Sequence, residues 1–320
     1  MTRDAVRSTI FNVLFYGLNA LACVALVPFF LAPRRWVMGL VHVYVHSIAA
    51  LERVVLGLRY EVRGLEYLPK EGSYIVAAKH QSPYETFKLH ILFRDPAIVL
   101  KQELLRIPLW GTYLKKTDVI AIDRSTPGAA IESIQKGALR MKEQGRPIVI
   151  FPQGTRVDVD ATTAEKPYKI GIVRMQEATG LPIIPMALNS GMFWPKSGWL
   201  KSGGTAVFQF LPPVLPGKEA SAALKEIEEK VETASRALMA EAIEKDAARA
   251  QKRSPWMPYA VAVLILGLFT LYSHLWFYAA DEIKRGYAGL ESQMPGVSST
   301  DAVPTINGSP GPPTPHLPHQ

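Results

Sequence analysis

Apolar positions fill the start of the chain in two blocks, and their rhythm changes after residue 58. Residues 8–33 carry no formal charge and as a helix would measure roughly 39 Å, enough to cross a ~30 Å hydrocarbon layer. Asn12, Asn19 and Pro28 interrupt the stretch, and Pro33, Arg34 and Arg35 follow it where a signal peptide would have a small-residue cleavage site. The expectation is an uncleaved anchor. A second uncharged block, 36–51, is too short to span easily on its own. Together they predict a membrane-associated helix pair over 1–58 that either spans the bilayer or lies in one leaflet.

From residue 59 to 217 short apolar runs alternate with helical stretches, the pattern of an α/β domain. Strands are predicted at 73–78, 97–100, 119–122, 147–151, 182–188 and 205–211. Helices are predicted at 127–144, opened by Pro127 and closed before Gly145, and at 169–179, closed by Gly180. Residues 218–253, rich in Ala, Glu, Lys and Leu, predict a long surface helix. Residues 254–280 are again uncharged, with Trp256 and Tyr259 near one end and Trp276 and Tyr278 near the other, and predict a transmembrane helix. Residues 281–320 turn to Pro, Gly and Ser and predict a disordered tail.

Composition agrees with a chain partly in lipid: 48% of the 320 residues are apolar and 20% charged. Lys and Arg exceed Asp and Glu by 36 to 28, a balance suited to an anionic membrane surface, a phosphorylated substrate or nucleic acid. The interleaved aromatic and basic patch of a nucleic-acid module is missing, so that class is set aside. Cys23 is the only cysteine, which excludes a disulfide framework and a cysteine-based zinc site. His42 and His46 have metal-pair spacing, but Val43 stands where a catalytic glutamate would be needed, and no metal is expected. Trp194 and Trp199 follow Asn189-Ser190-Gly191 and suit an acyl entrance, a membrane interface or plain packing equally.

The segment richest in chemistry is Lys79-His80-Gln81-Ser82-Pro83-Tyr84-Glu85-Thr86, directly after a predicted strand. Strand ends are where α/β sheets place ligand sites. Glu85, in the first turn of a helix starting after Ser82, can reach back to His80 and fix its tautomer. The same four residues, Ser82 to Glu85, also read as a capping box. The segment leaves both uses open. Lys101, Arg124 and Arg156 each fall at or just beyond a predicted strand end, where stability needs no cation but a phosphate would pair with all three. With His80 they point to a phosphorylated substrate beside a general base.

Over 60–217 the sequence resembles the 1-acylglycerol-3-phosphate acyltransferase family. His80 to Glu85 resembles its first motif, a His followed by an acid that is usually Asp. Ile120-Ala121-Ile122-Asp123-Arg124 resembles the second and Phe151-Pro152-Gln153-Gly154-Thr155-Arg156 the third, which usually has Glu at the place of Gln153. Leu181-Pro182-Ile183-Ile184-Pro185-Met186-Ala187 resembles the apolar fourth. A second departure is Thr117-Asp118, ahead of the second motif, where a Gly is common.

The resemblance implies an acyltransferase-type mixed sheet flanked by helices. It implies that His80 is the general base and Glu85 its orienting partner. Lys101, Arg124 and Arg156 would bind the glycerol phosphate, with Gly154 and Thr155 shaping the phosphate loop. The implied reaction moves an acyl group from a thioester, acyl-CoA or acyl-carrier protein, to the sn-2 hydroxyl of lysophosphatidate, giving phosphatidate without a resident cofactor. The alternatives are another lysolipid acceptor or a non-catalytic lipid-binding protein of the same fold. Lys245, Arg249, Lys252 and Arg253 precede the C-terminal apolar stretch, while Asp281, Glu282, Lys284 and Arg285 beyond it cancel. The positive-inside rule therefore predicts a catalytic domain on the cytoplasmic face, of the inner membrane in a bacterium, with the tail across the membrane.

Overall fold

The computed structural model describes residues 3–25 and 27–250. The expected membrane helix at 254–280 and tail at 281–320 lie outside the described residues. Two apolar helices open the chain, α1 (Arg3–Ala25) and α2 (Arg34–Leu51), the latter continued by a π-helical turn, Glu52–Leu56. Both are long and apolar enough to cross a membrane, and only 22% and 28% of their most apolar windows are buried against the protein.

The body is a seven-stranded sheet in the order β1-β7-β6-β2-β5-β3-β4. Its strands are β1 (Leu58–Arg63), β2 (Ile75–Ala78), β3 (Ala97–Lys101), β4 (Ile120–Ile122), β5 (Ile148–Ile150), β6 (Ile183–Leu188) and β7 (Gly204–Phe210). The six strands predicted from the pattern are all present. The seventh, β1, is an edge strand paired only with β7, and Arg59, Glu61 and Arg63 occupy three of its positions. Strands β2 to β6 run parallel, whereas β6 and β7 are antiparallel. All five parallel strands therefore end at one edge of the sheet.

Side chains alternate across the sheet as the pleat requires. Ile75, Ala77, Ile148, Ile150 and Ile183 face one way and pack with residues of α5 (Pro127–Glu143), α6 (Gly171–Thr179) and α7 (Ala220–Ala250). On β7, Val207 packs with Leu238 of α7, while on the opposite face Phe208 stacks on Tyr84 and Phe210 meets Phe93 edge-on. Each fully buried phenylalanine contributes about 1.5–3 kcal/mol. The contact partner there is α3 (Pro83–Leu92), the helix that carries Glu85. A short helix, α4 (Trp110–Lys116), precedes β4.

Helix ends follow local chemistry. Thr126 caps α5 by accepting the Ala129 N–H at 3.1 Å, with Pro127 at the first helical position. α7 buries Ala223, Ile227, Val231, Leu238 and Ala242, a single face at helical spacing, and leaves Lys225–Glu229 and Lys230–Glu226 as solvent-side pairs. Polar ties fix the N-terminal helices to the body, Arg34 of α2 to Asp95 among them. Lys88 of α3 pairs with buried Glu52 and lies 4.5 Å over the Tyr84 ring. Ser8 and Asn12 of α1 bond the backbone and ammonium of Lys201, respectively, at 2.8 and 2.7 Å.

Candidate active site

His80 follows the carboxyl end of β2, near the middle of the sheet, and borders a cavity of about 910 Å³. Its Nδ1 lies 2.9 Å from Glu85 Oε1. A carboxylate only accepts, so Nδ1 is the donor, and in the neutral ring this tautomer leaves the lone pair on Nε2. The ring stacks on Phe151 with centroids 3.8 Å apart and planes 17° from parallel. The His80 carbonyl accepts the Val157 N–H at 2.8 Å. Ring and backbone are thus both held.

Glu85 is fully buried and has donors on both oxygens. Besides His80, Oε1 accepts the backbone N–H groups of Gln81 and Ser82, each at 2.6 Å, and Oε2 accepts the Ser190 hydroxyl at 2.6 Å. Ser82 accepts the Tyr84 N–H at 3.0 Å, and Pro83 opens α3. The capping box and the histidine contact, two competing readings of the sequence, coexist, because one carboxylate oxygen can serve several donors.

The other half of the cavity is cationic. Lys101 at the end of β3, Arg124 after β4, and Gly154, Thr155 and Arg156 after β5 all border it, as does Lys169. Gly154 adopts φ +70, and a Cβ there would stand 3.3 Å from both Arg124 Nη2 and Lys169 Nζ. The positive backbone angle favours glycine at this point, and any side chain would also crowd the tips of two cations. Arg124 Nη1 also reaches the Gly154 carbonyl at 3.5 Å, and Arg156 Nη1 the Lys196 carbonyl at 3.3 Å. Burial first, then the charges of Arg124, Lys101 and Lys166, push the Lys169 ammonium below the usual lysine range. Among the described residues no carboxylate forms an ion pair with Lys101, Arg124, Arg156 or Lys169. Four cations therefore border one cavity with no carboxylate partner among the described residues, an arrangement chemically suited to an anion.

Lys169 and Ser190 were not marked by any sequence motif. Lys169 lies within the helix predicted at 169–179, yet α6 begins at Gly171, and the Lys169 N–H bonds the Pro152 carbonyl at 3.0 Å to close the loop after β5. Ser190 reaches Glu85 across 105 residues of sequence, a separation no local pattern signals. Gln153 is buried, with Nε2 donating to the Lys166 carbonyl at 3.1 Å and Oε1 left without a partner. Gln153→Glu would exchange that donor for a carboxylate facing a carbonyl and lower the local charge by one. The expected result is a fold weakened by about 1–3 kcal/mol and a raised KM for an anionic acceptor, with turnover retained. Thermal melts and acceptor titrations check it; an inactive parent switched on by the substitution would contradict it.

The remaining cavity wall is mostly apolar, and part of it comes from α1 and α2 through Ala22, Cys23, Val41 and Val45. Trp194 is buried edge-on against Phe11 and Phe15 of α1, which settles it as packing, while half-exposed Trp199 donates to Thr9 at 3.0 Å. His42 and His46 bond the Arg94 and His42 carbonyls.

Residues 59–189 match the Acyltransferase family. The 1-acyl-sn-glycerol-3-phosphate acyltransferase of Pseudomonas aeruginosa is 36% identical over 245 residues, covering 75% of this chain and 93% of its own. The enzyme of the same name from Limnanthes alba is 28% identical, with 67% and 79% covered. In fold, the crystal structure of the 1-acyl-sn-glycerophosphate (LPA) acyltransferase from Thermotoga maritima matches with TM-score 0.59 at 22% identity, over 75% of this chain and 98% of that one. With a relative at this identity covered almost end to end, the chain belongs to the 1-acyl-sn-glycerol-3-phosphate acyltransferase family.

Proposed function

We propose that the chain transfers an acyl group from an acyl thioester to the sn-2 hydroxyl of lysophosphatidate, giving phosphatidate, with His80 as general base. The observation that carries this reading is one cavity bordered by three kinds of wall: a carboxylate-oriented histidine, four cations that pair with no carboxylate among the described residues, and a mostly apolar surface to which α1 and α2 contribute. These suit, in turn, the hydroxyl to be deprotonated, the phosphate and the acyl chain. Lys101, Arg124, Arg156 and Lys169 hold the phosphate, and Gly154 and Thr155 give the loop its shape.

His80 Nε2 takes the proton as the acceptor oxygen attacks the thioester carbonyl. The new ester C–O bond forms, the C–S bond breaks, and the imidazolium returns its proton to the leaving thiolate. Glu85 stabilises the imidazolium in between. The chemistry of the donor is the thioester, in acyl-CoA or in acyl-carrier protein. A donor comparison at equal acyl length separates these two.

Arg124→Ala and Lys169→Ala are each expected to raise the acceptor KM on the order of 10- to 100-fold, since a charged hydrogen bond contributes roughly 1.5–3 kcal/mol. The thioester KM should hardly change. If the donor's KM rose and the acceptor's did not, the phosphate assignment would be wrong.

We place α1 and α2 in lipid and the catalytic domain on the cytoplasmic face, on the charge asymmetry around residues 254–280. Protease access to a tag after Gln320 in sealed vesicles tests the orientation. A tag cut only from the cytoplasmic side refutes it.

A further inference from the structure

Glu232 lies on α7, beyond residues 59–189, and takes no part in the chemistry above. Its Oε1 accepts from two buried side chains: Lys79 Nζ at 2.5 Å and Tyr168 OH at 3.0 Å. Each donor is the immediate chain neighbour of a residue at the site. Lys79 precedes His80, and its N–H extends the β2 ladder to the Met186 carbonyl at 3.1 Å. Tyr168 precedes Lys169, whose N–H closes the loop on Pro152. One carboxylate oxygen therefore joins the segment carrying the base to the segment carrying a phosphate cation.

A buried ion pair is a poor way to gain stability, because apolar side chains of similar volume fill such a place as well or better. Direction is what it adds. An apolar contact tolerates sliding by a few tenths of an ångström, whereas two hydrogen bonds to one oxygen fix the angle between the elements that donate them. Acyl transfer needs the base and the phosphate anchor at a set separation, since the anchored phosphate determines where the sn-2 hydroxyl falls relative to Nε2.

We propose that Glu232 is a positioning residue for the transfer reaction, holding the His80 and Lys169 segments in one frame through Lys79 and Tyr168. This rests on the roles given above to His80 and Lys169. The two arms predict different kinetic signatures: the Tyr168 arm governs acceptor binding and the Lys79 arm turnover.

The test is steady-state acyl transfer by the full-length protein in detergent, with lysophosphatidate and a labelled acyl thioester. Tyr168→Phe removes one hydroxyl and leaves the ring; it should raise the acceptor KM several-fold with kcat near the parent's and the thioester KM unchanged. The double variant Lys79→Met/Glu232→Gln removes both charges and so leaves neither buried alone; it should fold, by circular dichroism and melting, with kcat reduced on the order of tenfold. Glu232→Asp, with charge kept and reach shortened, should fall between the double variant and the parent.

A folded double variant with the parent's kcat, or a Tyr168→Phe enzyme with the parent's acceptor KM, overturns the proposal. If the double variant does not fold, Tyr168→Phe decides alone. His80→Ala and Lys169→Ala are run alongside. An active His80→Ala, or an unchanged acceptor KM in Lys169→Ala, locates the failure in the site reading instead of in Glu232.

Discussion

His80→Ala is expected to abolish acyl transfer, with a loss on the order of 10²–10⁴ in rate, while the protein folds as the parent does. The hydroxyl of a glycerol backbone is a weak acid, so its attack on a thioester requires the proton to leave as the C–O bond forms. His80 is the histidine whose Nδ1 is committed to a buried carboxylate and which borders the cationic half of the cavity. Loss of its ring has little reason to unfold the domain. The ring borders the cavity and lies outside the main apolar core, and Glu85 Oε1 keeps the Gln81 and Ser82 N–H groups when the imidazole is gone. Turnover in detergent and the melting curve together check the result. Near-normal turnover in a folded His80→Ala protein would remove the mechanism.

Much of this site is legible in the sequence because its parts are local. The His80–Glu85 pair, the capping box and the Phe151 to Arg156 loop each lie within six residues or so, and parallel strands bring their ends to one edge by topology alone. Contacts made across the fold are not legible in this way. Ser190 on Glu85 and Glu232 on Lys79 depend on where β6 and α7 come to rest. Lys169 is hidden differently: its neighbours continue a helical pattern, but its backbone is drawn to Pro152, and the helix starts two residues later. Strand β1 carries a signal that a search for apolar runs passes over. Leu58-Arg59-Tyr60-Glu61-Val62-Arg63 alternates apolar and charged residues strictly, the period of a strand, although at this sheet edge Tyr60 is itself exposed. The N-terminal helices are legible as apolar blocks, but not as part of the cavity wall, since composition shows how greasy a helix is and not what it packs against.

Glu85→Ala should lose both stability and activity, and the way the two losses separate in milder variants shows that one carboxylate has two roles. In the parent its oxygens accept four donors: His80 Nδ1, the Gln81 and Ser82 N–H groups, and the Ser190 hydroxyl. Alanine strands the two backbone donors in a buried place, at about 1–3 kcal/mol each, and frees the imidazole to take the wrong tautomer. Glu85→Gln is gentler. The amide oxygen can stay with the three donors now on Oε1, and the amide nitrogen can turn to Ser190, whose hydroxyl also accepts. Tautomer and helix cap then survive, and only the negative charge facing the imidazolium is lost. A charged hydrogen bond exceeds a neutral one by roughly 1–2 kcal/mol, so turnover should fall on the order of tenfold with melting nearly unchanged. Ser82→Ala isolates the other role: it removes the oxygen that accepts the Tyr84 N–H and should lower stability by about 1 kcal/mol while turnover stays close to the parent's. Were Glu85→Gln as active as the parent, or Ser82→Ala as inactive as Glu85→Ala, the carboxylate would be a helix cap that merely lies beside the base.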